Sequence, residues 1–128
     1  MDTDDIRAGT TRTYSRTFTT EEVTQFAELS KDEGYHHLVA NDDGQVVLHG
    51  LLTATMPTKI GGEMDYLART MDLEFPRPAY TGVEITCETT LDAVEETDGR
   101  LELETSFVCE AADGDVVLRG ESEGVVLG

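Results

Sequence analysis

The run Asp32-Glu33-Gly34-Tyr35-His36-His37, followed by His49-Gly50-Leu51-Leu52-Thr53, sets an acid, a base and an expected helix start close together in sequence. A carboxylate and an imidazole can share one water molecule and move its proton. A helix that opens at a glycine has backbone N–H groups with no partner inside the helix, and these suit an oxygen on which negative charge develops. Groups of this kind can add water to an activated carbonyl compound or remove it. Plainer readings exist for each: Asp32 as a turn former after a helix, and His49 as a helix-start residue bonded to nearby backbone.

The elements that must position these residues are legible around them. Thr19-Thr20-Glu21-Glu22 has the form of a capping box, and a helix is expected from there to about Lys31, with Val23, Phe26, Ala27 and Ser30 on one face. Asp32 then falls just past its end. Asn41-Asp42-Asp43-Gly44 reads as a turn. Leu51, Leu52, Thr55, Met56, Lys59 and Ile60 recur at helical spacing up to Gly61-Gly62, which predicts a core helix. Pro57 lies inside it, so a kink there, or a stop and restart, is expected. Ahead of these, residues 14–18 suit a short strand, and the first dozen residues, being polar, are expected to be frayed or loosely docked.

Beyond Tyr66 the apolar period becomes two. Met71, Leu73 and Phe75, then Val83, Ile85, Cys87, Thr89 and Leu91, then Leu101, Leu103, Thr105, Phe107 and Cys109, alternate mainly with polar and charged residues. Asp98-Gly99 and Asp113-Gly114 mark hairpin turns, and a last strand is expected over about 115–126. Half-buried strands of this kind form an antiparallel sheet that is wet on one side and needs a cover on the other. The 51–60 helix is the obvious cover, which gives an α+β class.

These stretches resemble the MaoC-like (R)-specific enoyl-CoA hydratases, which have the hot-dog fold. That family shows Ser-x-Asp-x-Asn-Pro-x-His at a helix end, His-Gly-(Met/Leu)-Leu-Thr opening a central helix, and a Phe-x-x-Pro-Val-x-x-Gly-Asp strand-turn. The matching residues are Ser30-Lys31-Asp32-Glu33-Gly34-Tyr35-His36-His37, His49-Gly50-Leu51-Leu52-Thr53 and Phe75-Pro76-Arg77-Pro78-Ala79-Tyr80-Thr81-Gly82-Val83. Gly34 and Tyr35 stand where the family has Asn and Pro, and the stretch between His37 and His49 is shorter than usual.

The resemblance implies one hot-dog domain over residues 1–128, an antiparallel sheet wrapped around a central helix. It implies a lyase, a hydratase or dehydratase interconverting a 2-enoyl thioester and its 3-hydroxyacyl form. Asp32 and His37 would hold the water, and the Gly50 N–H would face the thioester oxygen. His36, His49 and Arg77 would line the substrate site, with Arg77 or Lys59 meeting coenzyme A phosphates. The thioester, on coenzyme A or an acyl-carrier protein, is substrate, and no further cofactor is expected. A hot-dog acyl-CoA thioesterase, which would use the same groups, and a noncatalytic acyl-thioester binder, which the altered Gly34-Tyr35 loop would allow, remain alternatives. Edge pairing of the sheets would give a homodimer.

Composition narrows the classes. With 27 acidic against 9 basic residues the chain carries a charge of −18, spread along its length. No basic patch is available for phosphates, so nucleic acid is not an expected partner. Repulsion of this size weakens a fold at low salt and is screened at molar salt, where the Debye length is about 3 Å, which points to a high-salt cytoplasm. No apolar run approaches membrane-spanning length, and Met1-Asp2-Thr3-Asp4-Asp5 has no basic, then apolar, leader pattern, so a cytoplasmic location with no membrane partner is expected. Cys87 and Cys109 have no ligand-spaced partners, so no metal site is expected and buried free thiols are the default.

Overall fold

The computed structural model describes residues 5–127. The expectation for the leader pattern at 1–4 lies outside the described residues. Strand β1 (Thr11–Thr17) leads through the Thr19 cap into helix α1 (Thr20–Ser30), then come α2 (Tyr35–Leu38), α3 (Gly50–Thr53), α4 (Thr55–Glu63), β2 (Tyr66–Glu74), β3 (Glu84–Thr97), β4 (Arg100–Ala111) and β5 (Val116–Leu127). The strands form one five-stranded antiparallel sheet in the order β1-β3-β4-β5-β2. Its inner face covers α3 and α4, which is the hot-dog arrangement. Among the described residues no helix is long and apolar enough to cross a membrane.

The alternation of the two long central strands translates directly into burial. Ile85, Cys87, Thr89 and Leu91 of β3, and Leu103, Thr105, Phe107 and Cys109 of β4, point inward and are buried. Met56 and Ile60 of α4 meet them in the same core. The β3–β4 hairpin turns at Asp98 and Gly99, both at positive φ (51° and 78°), the conformation that a two-residue connection with the right twist requires. Cys87 and Cys109 face each other across β3 and β4 as buried free thiols. Hydrogen bonding to Cys87, and then burial, push the Cys109 thiol above its usual range.

Three expectations need correction. The first dozen residues are docked, at least from residue 5 onward: Ile6 is buried, the Gly9 N–H donates to the Leu91 carbonyl (2.7 Å) and β1 begins at Thr11. The edge strand β2 keeps its alternation poorly, since Met71 is exposed and Phe75 lies beyond the strand with its ring half out of the core. An edge strand has one neighbour and less core to cover. The central helix does stop and restart, but at Ala54 instead of at Pro57. Pro57 falls in the first turn of α4, where its missing N–H leaves no bond unmade, and its ring would collide with the Thr53 carbonyl if the helix ran straight through.

The outer face carries the charge. Glu95 stands opposite Glu102, and Glu104 opposite Glu123, as direct cross-strand partners. Arg69 bridges Glu102 and Glu123, which leaves Glu104 outside that ion pair. Like charges directly opposite each other destabilise by about 0.2–1 kcal/mol at low salt. The expected outcome is that Glu104→Gln raises the melting temperature by about one to a few degrees in dilute buffer, and that this gain vanishes in molar KCl, where the wild type itself melts higher. Equal melting curves at both salts would remove the screening argument.

Candidate active site

Each candidate residue is placed by local chemistry. Thr19 caps α1 by accepting from the Glu22 N–H (3.2 Å), while the Glu22 carboxylate accepts from the Thr19 N–H (2.9 Å). That backbone donor, reinforced by Arg16, holds the Glu22 carboxyl below its usual range. At the other end Lys31 adopts a left-handed conformation (φ 66°), which ends the helix and turns the chain away. Asp32 follows. Its N–H donates to Ser30 Oγ (3.1 Å), and its Oδ1 accepts from the Gly34 N–H (3.2 Å). This small turn leaves Oδ2 directed at Nε2 of His37, 3.8 Å away, with the Asp32 side chain 58% exposed.

His37 comes from α2, a helix that the sequence did not announce. Gly34 precedes it, and a Cβ there would crowd the His36 ring at 3.2 Å while meeting Asp32 and His37 at ordinary contact distances. Nδ1 of His37 bonds the Val47 carbonyl at 2.6 Å. A carbonyl only accepts, so Nδ1 bears the hydrogen, and Nε2 of the neutral ring offers a lone pair toward Asp32. The separation of 3.8 Å is too long for a direct hydrogen bond. It admits one water at about 2.8 Å from each group, with a hydrogen for each acceptor.

His49 is 2% exposed and caps α3. Nε2 bonds the Asp32 carbonyl at 2.9 Å, and the ring stacks on His37 with centroids 3.7 Å apart at 16°. Nδ1 is sealed from solvent and has no hydrogen-bond partner among the described residues. Its segment is fixed by residues 79–81: the Leu48 N–H donates to the Ala79 carbonyl (2.8 Å) and the Thr81 N–H to the Val46 carbonyl (3.0 Å). Gly50 then opens α3, and among the described residues its N–H donates to no protein acceptor. The Phe75 ring lies over it so closely that a Cβ at 50 would come within 2.8 Å of the ring.

A cavity of about 610 Å³ collects all six candidates, Asp32, His36, His37, His49, Gly50 and Arg77. Arg77 is exposed at its edge and forms no ion pair among the described residues. Lys59 does not line this cavity: it pairs with Glu63 and lies over the Tyr14 ring (4.5 Å). The apolar walls Phe26 and Phe75 and the Val47 carbonyl were not foreseen as part of the site. Phe26 was visible only as a core-facing helix residue, and a backbone carbonyl leaves no mark in a sequence.

Asp32, His37 and His49 offer ligand atoms within 4.8 Å of one another, a spacing that invites comparison with a metal centre. The ring geometry argues otherwise. Lone pairs lie in the planes of imidazole rings, and two nearly parallel stacked rings cannot both aim them at one ion. The arrangement suits a water between carboxylate and imidazole.

No family profile and no curated protein sequence matches the chain. Solved structures do. The fold is similar to that of an (R)-hydratase from A. caviae involved in PHA biosynthesis, at a TM-score of 0.83 and 23% identity over 96% of this chain and 98% of that one. It is similar to the R-hydratase PhaJ1 from Pseudomonas aeruginosa (0.82, 18% identity, 97% and 83% covered). It is also similar to a MaoC-like dehydratase from Rhodospirillum rubrum (0.79, 19% identity, 97% and 94% covered).

Proposed function

We propose that this chain is a MaoC-like enzyme that adds water to a 2-enoyl thioester, or removes it from the 3-hydroxyacyl form. The observation that carries this reading is the 3.8 Å gap between Asp32 Oδ2 and His37 Nε2, opening into the cavity that Gly50 also lines. The water between them gives one proton to the Asp32–His37 pair as its oxygen bonds to C3. The double bond shifts toward the thioester, and charge builds on the thioester oxygen, where the unengaged Gly50 N–H donates to it. The pair then returns one proton to C2. Water is consumed, and both side chains regain their starting charge.

The exposed Arg77 guanidinium is suited to a phosphate of a coenzyme A carrier at the cavity edge. The enzyme works as a homodimer in which β2, an edge strand, gains a second neighbour. Its acidic surface fits a high-salt cytoplasm.

The test is direct. With crotonyl-CoA in molar KCl, the conjugated enoyl absorbance should disappear with no release of free thiol. Thiol release would instead establish the thioesterase alternative, and no reaction with any 2-enoyl thioester would leave a binder. Light scattering in the same buffer should give twice the chain mass.

A further inference from the structure

We infer that His49 is the positioning residue of this site, one imidazole that sets the relation between the acid, the base and the oxyanion donor. The inference rests on the hydratase reading for its kinetic consequences but not for its geometry.

His36 and His37 are tied to Val47, but among the described residues the turn at Asp32 itself, residues 30–34, is otherwise held by bonds to its own neighbours. Asp32 N–H reaches Ser30, Gly34 N–H reaches Asp32, and His37 N–H reaches the Gly34 carbonyl. Bonds of this local kind shape a turn but do not locate it on the body of the protein. The Nε2–H of His49, donated to the Asp32 carbonyl, joins that loop to a distant segment, across 17 positions of sequence. The same ring lies flat on His37, whose remaining freedom is rotation about its bond to Val47. The residue that follows is Gly50, so the backbone that aims the N–H at the cavity is the backbone that carries this ring. Phe26 packs edge-on against the same ring at 4.9 Å.

The orphaned Nδ1 makes a plain packing role unattractive. A residue chosen only to fill this space would not bring a buried lone pair with no donor to meet it. The histidine is kept for what its other nitrogen and its face accomplish. In the two stacked rings the hydrogens must sit on opposite nitrogens, Nε2 in His49 and Nδ1 in His37, because each bonds a carbonyl oxygen.

Two variants and one spectroscopic measurement test this. His49→Phe keeps an aromatic face but removes the donor, and His49→Gln keeps an N–H near the Nε2 position but removes the face. The expected results are a fall in kcat of about tenfold to a hundredfold for His49→Phe with KM within about twofold, and a smaller fall for His49→Gln. The melting temperature of His49→Phe should not drop, since the unmet lone pair goes with the ring. A lowered melting temperature with unchanged kcat would overturn the inference, as would wild-type kcat in both variants. Nitrogen NMR of the wild type is independent of turnover and of whether the variants fold. His49 should show a protonated Nε2 and a bare Nδ1, with the reverse in His37, and a bare Nε2 in His49 would end the proposal. Should the wild type fail to hydrate any enoyl thioester, the functional reading falls while the tautomer measurement still decides the geometry.

Discussion

Asp32→Asn is expected to lower kcat for enoyl-thioester hydration by about 10³-fold, ~4 kcal/mol of barrier, while leaving the melting temperature within about one or two degrees of wild type. The two halves of this expectation come from the two oxygens of the side chain. Oδ1 accepts from the Gly34 N–H and shapes the turn, and the amide oxygen of asparagine can take over that bond. Oδ2 faces His37 across the water position. An NH2 group there donates where the carboxylate accepted, so the water loses its base and meets a competing donor. The exposed position of the side chain means that the substitution disturbs no core contact. Retention of more than about a tenth of wild-type kcat would remove Asp32 from the chemistry.

Gly50→Ala is expected to lower turnover as well, and to lower stability with it. The added methyl would lie 2.8 Å from the Phe75 ring, well inside van der Waals contact, so either the ring or the start of α3 must move. Phe75 is 45% exposed and outside a strand, which makes it the group that yields. Turnover should fall at least about tenfold, because the methyl also stands between the Gly50 N–H and an approaching oxygen. The double variant with Phe75→Ala separates these causes. It should recover stability but not turnover; full recovery of kcat would show that the ring clash was the whole effect and that the methyl does not screen the N–H.

What the sequence disclosed is local, and what it withheld depends on distant contact. The Thr19–Glu22 cap, the Asn41–Gly44 turn, the Asp98-Gly99 hairpin and the alternation of β3 and β4 all rest on residues within a few positions of one another, and all are present. The candidate site was legible to a similar extent: Asp32, His37 and Gly50 could be singled out by type and spacing, and the fold brings them to one cavity. The docking of Ile6, the cover of Phe75 over Gly50 and the tie from His49 to Asp32 depend on segments that meet only after the chain has closed. Helix α2 is of this kind too, since four residues would not hold a helix alone and these are held by the bonds of His36 and His37 to Val47. Pro57 announced an interruption, but its place three residues earlier follows from which carbonyl the ring would strike.

Two duties meet along the stretch of chain around the break at Ala54. Substitutions at Met56 or Ile60, and at Leu52 in the same core, will be felt in how long the protein survives heating, whereas substitutions at Gly50 or the exposed Leu51, which line the cavity, will be felt in how fast the proposed reaction turns over.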